Sequence, residues 1–157
     1  IYVCHKGELK VKRNKIDKQI KYEIKFGLFN NKLYKQFFSK ILKQKIKLKK
    51  EIRKYNEKNY KIVGYGAPAK VTTFCHLLDI GKKDIKFIID DNKLKQNYFT
   101  PGKKIPIKSF SYALKEKPKI IIVLAWNFFD SIVLKCKKNF NNKIIYVKAF
   151  PKIKKIK

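Results

Sequence analysis

Apolar residues recur along this chain with two different spacings, and the places where the spacing changes divide it. In residues 1–12 (IYVCHKGELKVK) Ile1 and Val3 alternate with Tyr2 and Cys4. That alternation predicts a short edge strand, a turn at Gly7 and further extended chain. We read it as the remnant strand of a domain lying upstream. From Ile16 the spacing becomes helical: Ile16, Ile20 and Ile24 fall on one face before Gly27 interrupts them. Tyr34, Phe37, Ile41, Leu48, Ile52 and Tyr55 then repeat at intervals of three and four, with lysines on the other faces. A long helix over 33–55 follows, and residues 13–60 form a helical connector packed along the next domain.

Beyond Lys61 short apolar runs and amphipathic stretches alternate. Strands are predicted at Lys61–Gly64, Ile85–Ile89, Ile120–Ala125 and Lys143–Val147. Helices are predicted from about Pro68 to Leu78, from a cap at Ser109 to just before Pro118, and from a cap at Asn127 to about Asn139. Asp90 to Pro106 reads as a Pro/Gly-rich loop. The β-α-β-α-β-α-β order demands a parallel sheet of about four or more strands with helices on both faces. Residues 61–151 are therefore expected to be a Rossmann-like α/β domain, and 152–157 a frayed basic tail.

Composition adds bounds. With 157 residues, 45% of them hydrophobic, one domain with an appended arm is expected and wholesale disorder is not. The longest apolar run, Ile120–Trp126, is far shorter than the roughly 18–20 residues that span a bilayer, so no membrane partner is expected. The chain contains no methionine, which suggests a piece of a longer protein.

The formal net charge of +30 first points to nucleic acid. Yet every basic residue except Arg13 and Arg53 is lysine, and arginine is the side chain that forks onto phosphates and guanine edges. The charge is also spread evenly, and the excess of Lys, Ile and Asn fits a compositional drift at surface positions. A solvated surface with salt-dependent stickiness is expected, and no specific nucleic acid. Cys4, Cys75 and Cys136 are far apart and odd in number, without C-x-x-C spacing. Reduced thiols in a cytoplasmic setting follow, with no metal site here. His5 and His76 stand in no metal-ligand pattern.

The sharpest chemical feature is Gly64-Tyr65-Gly66-Ala67-Pro68-Ala69-Lys70. The glycines allow a tight strand-to-helix turn, Pro68 suits a first helical turn, and free amides at a helix start attract anions. Lys70 and the hydroxyl of Thr72 could complete a diphosphate site. Asp90 ends the second strand, where dinucleotide-binding folds hold ribose hydroxyls. Trp126 and Asn127 follow the third strand and should reach the same carboxyl edge. A bare structural turn without ligand accounts for the same residues.

The runs GYGAPAKVTTFCHLLDI, FIIDDNKLKQNYFTPGKKIPI and IIVLAWNF, in this order, resemble the C-terminal domain of S-adenosylmethionine-dependent C-methyltransferases, a family that includes sugar-nucleotide C-methyltransferases. The opening IYVC resembles the strand that ends the family's methyltransferase domain. The resemblance implies that S-adenosylmethionine is bound upstream, in a domain preceded by a cysteine-rich module that could hold zinc. The catalytic residues lie there too, so none is assigned here. Residues upstream would deprotonate a carbon beside a carbonyl, and the carbanion would take the methyl group. The resemblance further implies that Gly64, Tyr65, Gly66, Ala67, Pro68, Lys70, Thr72, Asp90, Trp126 and Asn127 line the side of the cleft that holds a nucleotide-linked sugar or related carbonyl substrate. Two departures stand out: Val71-Thr72-Thr73 where many sugar-acting members have Gly-Asn-Thr, and Asn97 where the family often has Gly.

The expected function is therefore the substrate-side half of a C-methyltransferase, inactive by itself, as one part of a cytoplasmic enzyme that could form a homo-oligomer. The βαβ turn and Asp90 also permit a nicotinamide-dinucleotide oxidoreductase domain, although no acid–base residue for hydride transfer accompanies them. Charge alone permits a nucleic-acid-binding protein.

Overall fold

The computed structural model describes His5, Gly7 and residues 13–156, so the strand expected within 1–12 lies outside the described residues. Two compact units, Ile1–Ile41 and Leu42–Lys157, divide the chain, the boundary falling inside its longest helix.

In the first unit, helix α1 spans Arg13–Phe26 and the second helix, α2 (Asn31–Glu57), begins. Gly27, at φ +88°, makes the break between them. The Asn30 side chain accepts from the Lys32 amide at 2.8 Å, and the Tyr34 hydroxyl donates to the Leu28 carbonyl at 2.6 Å. No residue of α1 is buried.

The second unit is a three-layer α/β sandwich. Its elements run β1 (Ile62–Tyr65), α3 (Ala69–Leu78), β2 (Ile88–Ile89), β3 (Ile107–Lys108), α4 (Phe110–Glu116), β4 (Ile120–Val123), α5 (Phe129–Asn139), β5 (Ile145–Lys148) and β6 (Lys154–Ile156). The six strands lie in the order β3-β2-β1-β4-β5-β6. All pairs are parallel except β5 with β6. At the centre Gly64 pairs with Ile88 on one side and Ile122 on the other. All four residues of β1 and of β4 are buried, as a strand covered on both faces requires.

One core lies under α3 and the end of α2, where Leu48, Ile52 and Tyr55 meet Val71, Phe74 and Leu78. The other lies under α4 and α5, with Phe87, Ala113, Ile132 and Val133. The apolar stripe of α2 thus has two fates: its second half is core, whereas Tyr34 and Phe37 near its start are exposed.

Two local expectations are corrected and one strand is added. Residues 154–156 are not frayed: they add an edge strand whose Ile156 packs on the second core, and whose lysines fit an edge that must resist further pairing. Ile107–Lys108 is a strand too, short enough to escape any periodic signal. Asn127 does not cap α5, because a 3-10 turn at Trp126–Phe128 comes first and Phe128 takes the cap position. Ser109 does cap α4, accepting from the Tyr112 amide at 3.1 Å.

Candidate functional site

The turn from β1 into α3 is built from close backbone approaches. The Tyr65 carbonyl accepts from the amides of Leu124 and Ala125 at 2.9 and 3.1 Å, and the Gly66 amide donates to the Ile89 carbonyl at 2.7 Å. Gly66 adopts φ +87°, and a Cβ there would stand 2.4 Å from the Ala125 Cβ. A Cβ at Gly64 would meet Leu124 at 2.8 Å and Ile88 at 2.9 Å. Both glycines are thus required by the neighbouring strands. In open α/β sheets the ligand crevice forms where connections leave a strand in opposite directions. Here that place lies between β1 and β4, and Ala125 closes on Gly66 across it.

The next amide is also occupied. Ala67 N–H donates to Asp90 Oδ2 at 2.7 Å, and Asp90 Oδ1 accepts from the Asn92 amide at 2.9 Å. Lys95 Nζ donates to the Ala67 carbonyl at 3.0 Å and stands 3.7 Å from Asp90 Oδ2. Asp90 is only 8% exposed, so its carboxylate faces the crossover's own main chain. Next comes Pro68 at the start of α3, with no side-chain cap. The first amides of a helix have no partner within it, which leaves those of Ala69 and Lys70 for solvent or ligand.

The remaining candidates separate. Lys70 Nζ sits 4.2 Å from the centre of the Trp126 ring, which packs on Phe74 and Phe150 at 5.6 and 5.1 Å. Asn127 is exposed beside it. Tyr65 points to the opposite face of the sheet, where its hydroxyl donates to Asp91 at 3.0 Å. Lys135 pairs with the same carboxylate at 2.7 Å. Burial, then the adjacent Asp91 charge, pushes the Tyr65 phenol above its ordinary range, so it stays a neutral donor.

A cleft of about 450 Å³ opens at the carboxyl edge between the α3 start and the loop after β2. Pro68 and Thr72 line one wall and Leu94, Lys95, Tyr98 and Phe99 the other. Sequence reasoning missed this second wall; the only hint was an aromatic pair inside an unusually long loop. A larger hollow of about 600 Å³ lies around Tyr60, Lys119 and Ile145, towards the amino ends of the strands. That is the wrong edge of the sheet for the residues above.

Among the described residues no three or more His, Cys, Asp or Glu are grouped to hold a metal ion. Burial raises the thiols of Cys75 to about 11 and Cys136 to about 12, which removes both as thiolate nucleophiles near neutrality. His76 lies on α3 one turn after Thr72, its ring against Gly102.

A family model described as the C-methyltransferase C-terminal domain matches residues 1–151. The chain belongs to that family. This C-methyltransferase C-terminal domain is also similar to the C-methyltransferase NovU of Streptomyces niveus, being 28% identical over 107 residues. The matched segment covers 68% of the chain but only 26% of that protein, so the chain corresponds to about a quarter of the relative's length. In this C-terminal domain Asn97, one of the two departures noted in the sequence, adopts φ +67°. Asparagine is the residue that best replaces glycine in left-handed backbone, so the departure is explained by main-chain geometry. No helix among the described residues is long and apolar enough to cross a membrane.

Proposed function

We propose that this domain is the substrate-side part of an S-adenosylmethionine-dependent C-methyltransferase acting on a nucleotide-linked sugar or a related carbonyl compound. The reading rests on family membership together with one juxtaposition: the uncapped start of α3 opens beside a cleft at the carboxyl edge of the sheet. Helix-start amides and the Lys70 ammonium would receive the substrate's anionic portion, with the Thr72 hydroxyl beside them. Trp126 and Asn127 would flank it. Gly64, Gly66, Ala67, Pro68 and Asp90 would contribute by fixing the crossover's shape, and Tyr65 by tying its far side to Asp91 and Lys135.

S-adenosylmethionine supplies an electrophilic methyl group when bound. The crossover does not fit it. The Asp90 carboxylate is only 8% exposed and turned onto two main-chain amides, which leaves ribose hydroxyls little access, and Ala125 packs on Gly66 where a dinucleotide would have to approach the backbone. The same obstruction disfavours the nicotinamide-dinucleotide reading. This domain's task is then to bind and orient the acceptor and to keep water from the reacting carbon, a place for which a covering second domain is suited. The donor and the catalytic base belong to another part of the enzyme.

Two measurements test the proposal. Calorimetry with a uridine diphosphate sugar should give saturable heat at millimolar concentrations, and its absence would count against the substrate class. Incubation of the chain with donor and sugar nucleotide should release no S-adenosylhomocysteine; release would refute the assignment of catalysis elsewhere.

A further inference from the structure

The segment joining β2 to β3 has little regular structure, a 3-10 turn at Lys93–Lys95 and a single antiparallel bridge between Phe99 and Pro106, yet hydrogen bonds pin its backbone. Asn97 N–H donates to the Ile107 carbonyl at 2.9 Å, and Ile107 N–H returns to Tyr98 at 2.8 Å. Thr100, itself buried, donates its amide to the Ile105 carbonyl at 2.9 Å and accepts from the Ile105 amide on its hydroxyl at 3.0 Å. Gln96 Nε2 holds the Asp90 carbonyl at 2.9 Å. Long irregular loops in compact domains are seldom idle, and one held this firmly has already lost the entropy that binding would otherwise cost.

On this fixed backbone Leu94, Tyr98 and Phe99 are 85%, 67% and 60% exposed. They fall within six positions and converge on the 450 Å³ cleft rather than scattering over the surface. That volume is in the range of small-ligand pockets, roughly 300–1,000 Å³. Aromatic side chains have few rotatable bonds and offer a face to any planar ring. The opposite wall, Pro68 and Thr72, stands next to the helix start to which the anionic part has been assigned.

We propose that Tyr98 and Phe99 are the platform on which the planar base of a nucleotide-linked ligand stacks, an assignment that rests on the substrate reading above. The base lies against the β2–β3 loop, and the diphosphate extends towards Lys70 and the start of α3. Because stacking tolerates any base, the platform supplies affinity rather than base selectivity.

The test is a set of heteronuclear NMR titrations of the 157-residue chain with UDP, ADP and inorganic pyrophosphate. The expected result is that UDP and ADP move the amide signals of Tyr98 and Phe99 and bind more tightly than pyrophosphate. Tyr98→Ala or Phe99→Ala then weakens both nucleotides by about tenfold, a typical loss for one stacking partner, while Tyr98→Phe retains affinity and pyrophosphate binding does not change. Both side chains are largely exposed, so an unaltered spectrum elsewhere certifies the fold of each variant. Nucleotide binding insensitive to both alanine variants, or matched in strength by pyrophosphate, overturns the platform and leaves the substrate reading standing. No binding of UDP or ADP at millimolar concentrations overturns both.

Discussion

The carboxylate of Asp90 accepts a hydrogen bond from the main-chain amide of Ala67 at 2.7 Å, placing the chain's own anion where a Rossmann-like turn would otherwise meet a ligand's. If that is its role, Asp90→Ala should destabilise the fold by about 1–3 kcal/mol, because two amides lose their acceptor. Asp90→Asn, which keeps one acceptor oxygen, should lose less. Urea denaturation of the two variants checks the order. Unchanged stability with weakened nucleotide binding would instead make Asp90 a ligand contact.

Gly66→Ala should cost about 2–4 kcal/mol, combining left-handed strain with the collision against Ala125. Adding Ala125→Gly should restore the steric part and leave the backbone part. The partial recovery, read from thermal or urea midpoints, separates a packing glycine from one reserved for a ligand's approach.

Asn97→Gly should leave stability unchanged or slightly raised, whereas Asn97→Val should cost about 1–2 kcal/mol, since a β-branched residue resists a φ of +67°. Equal midpoints for the two variants would show that the loop does not need its left-handed residue.

Asp79 joins three elements through its carboxylate, bonded to Lys103 Nζ at 2.6 Å and Lys49 Nζ at 3.0 Å. The hydrogen bond from Lys103, then that from Lys49, holds it down at about 2. A depressed carboxylate stabilises the fold above its unfolded value of about 3.9 and loses that contribution as pH falls towards its folded value. Asp79→Asn should therefore flatten the decline in stability between about pH 4 and pH 2. The group is exposed, so the difference should be small and fade with added salt. Denaturation midpoints across this range, at low and high salt, provide the check.

How much of this was legible beforehand depends on how local each signal is. The strand at Ile120–Val123 and the Ser109 cap announce themselves through neighbouring residues, one by an unbroken apolar run and the other by a hydroxyl three positions before its amide. Gly64 and Gly66 were visible as a turn, but their true neighbours, Leu124 and Ala125, follow a strand some sixty residues on. The same distance hides the partner of Lys70, because only the fold brings Trp126 beneath it. β3 is too short to show a period, and β6 is written in lysines that read as a tail. Tyr98 and Phe99 look like loop residues in any sequence; their exposure on a pinned backbone is a tertiary property.

The most direct test of the whole account is a paired calorimetric titration of the chain with S-adenosylmethionine and with UDP. We predict saturable heat from UDP at millimolar concentrations and, from S-adenosylmethionine, none that responds to substitutions around Gly66 and Asp90. Saturable binding of S-adenosylmethionine, sensitive to substitutions around Gly66 and Asp90, would contradict it.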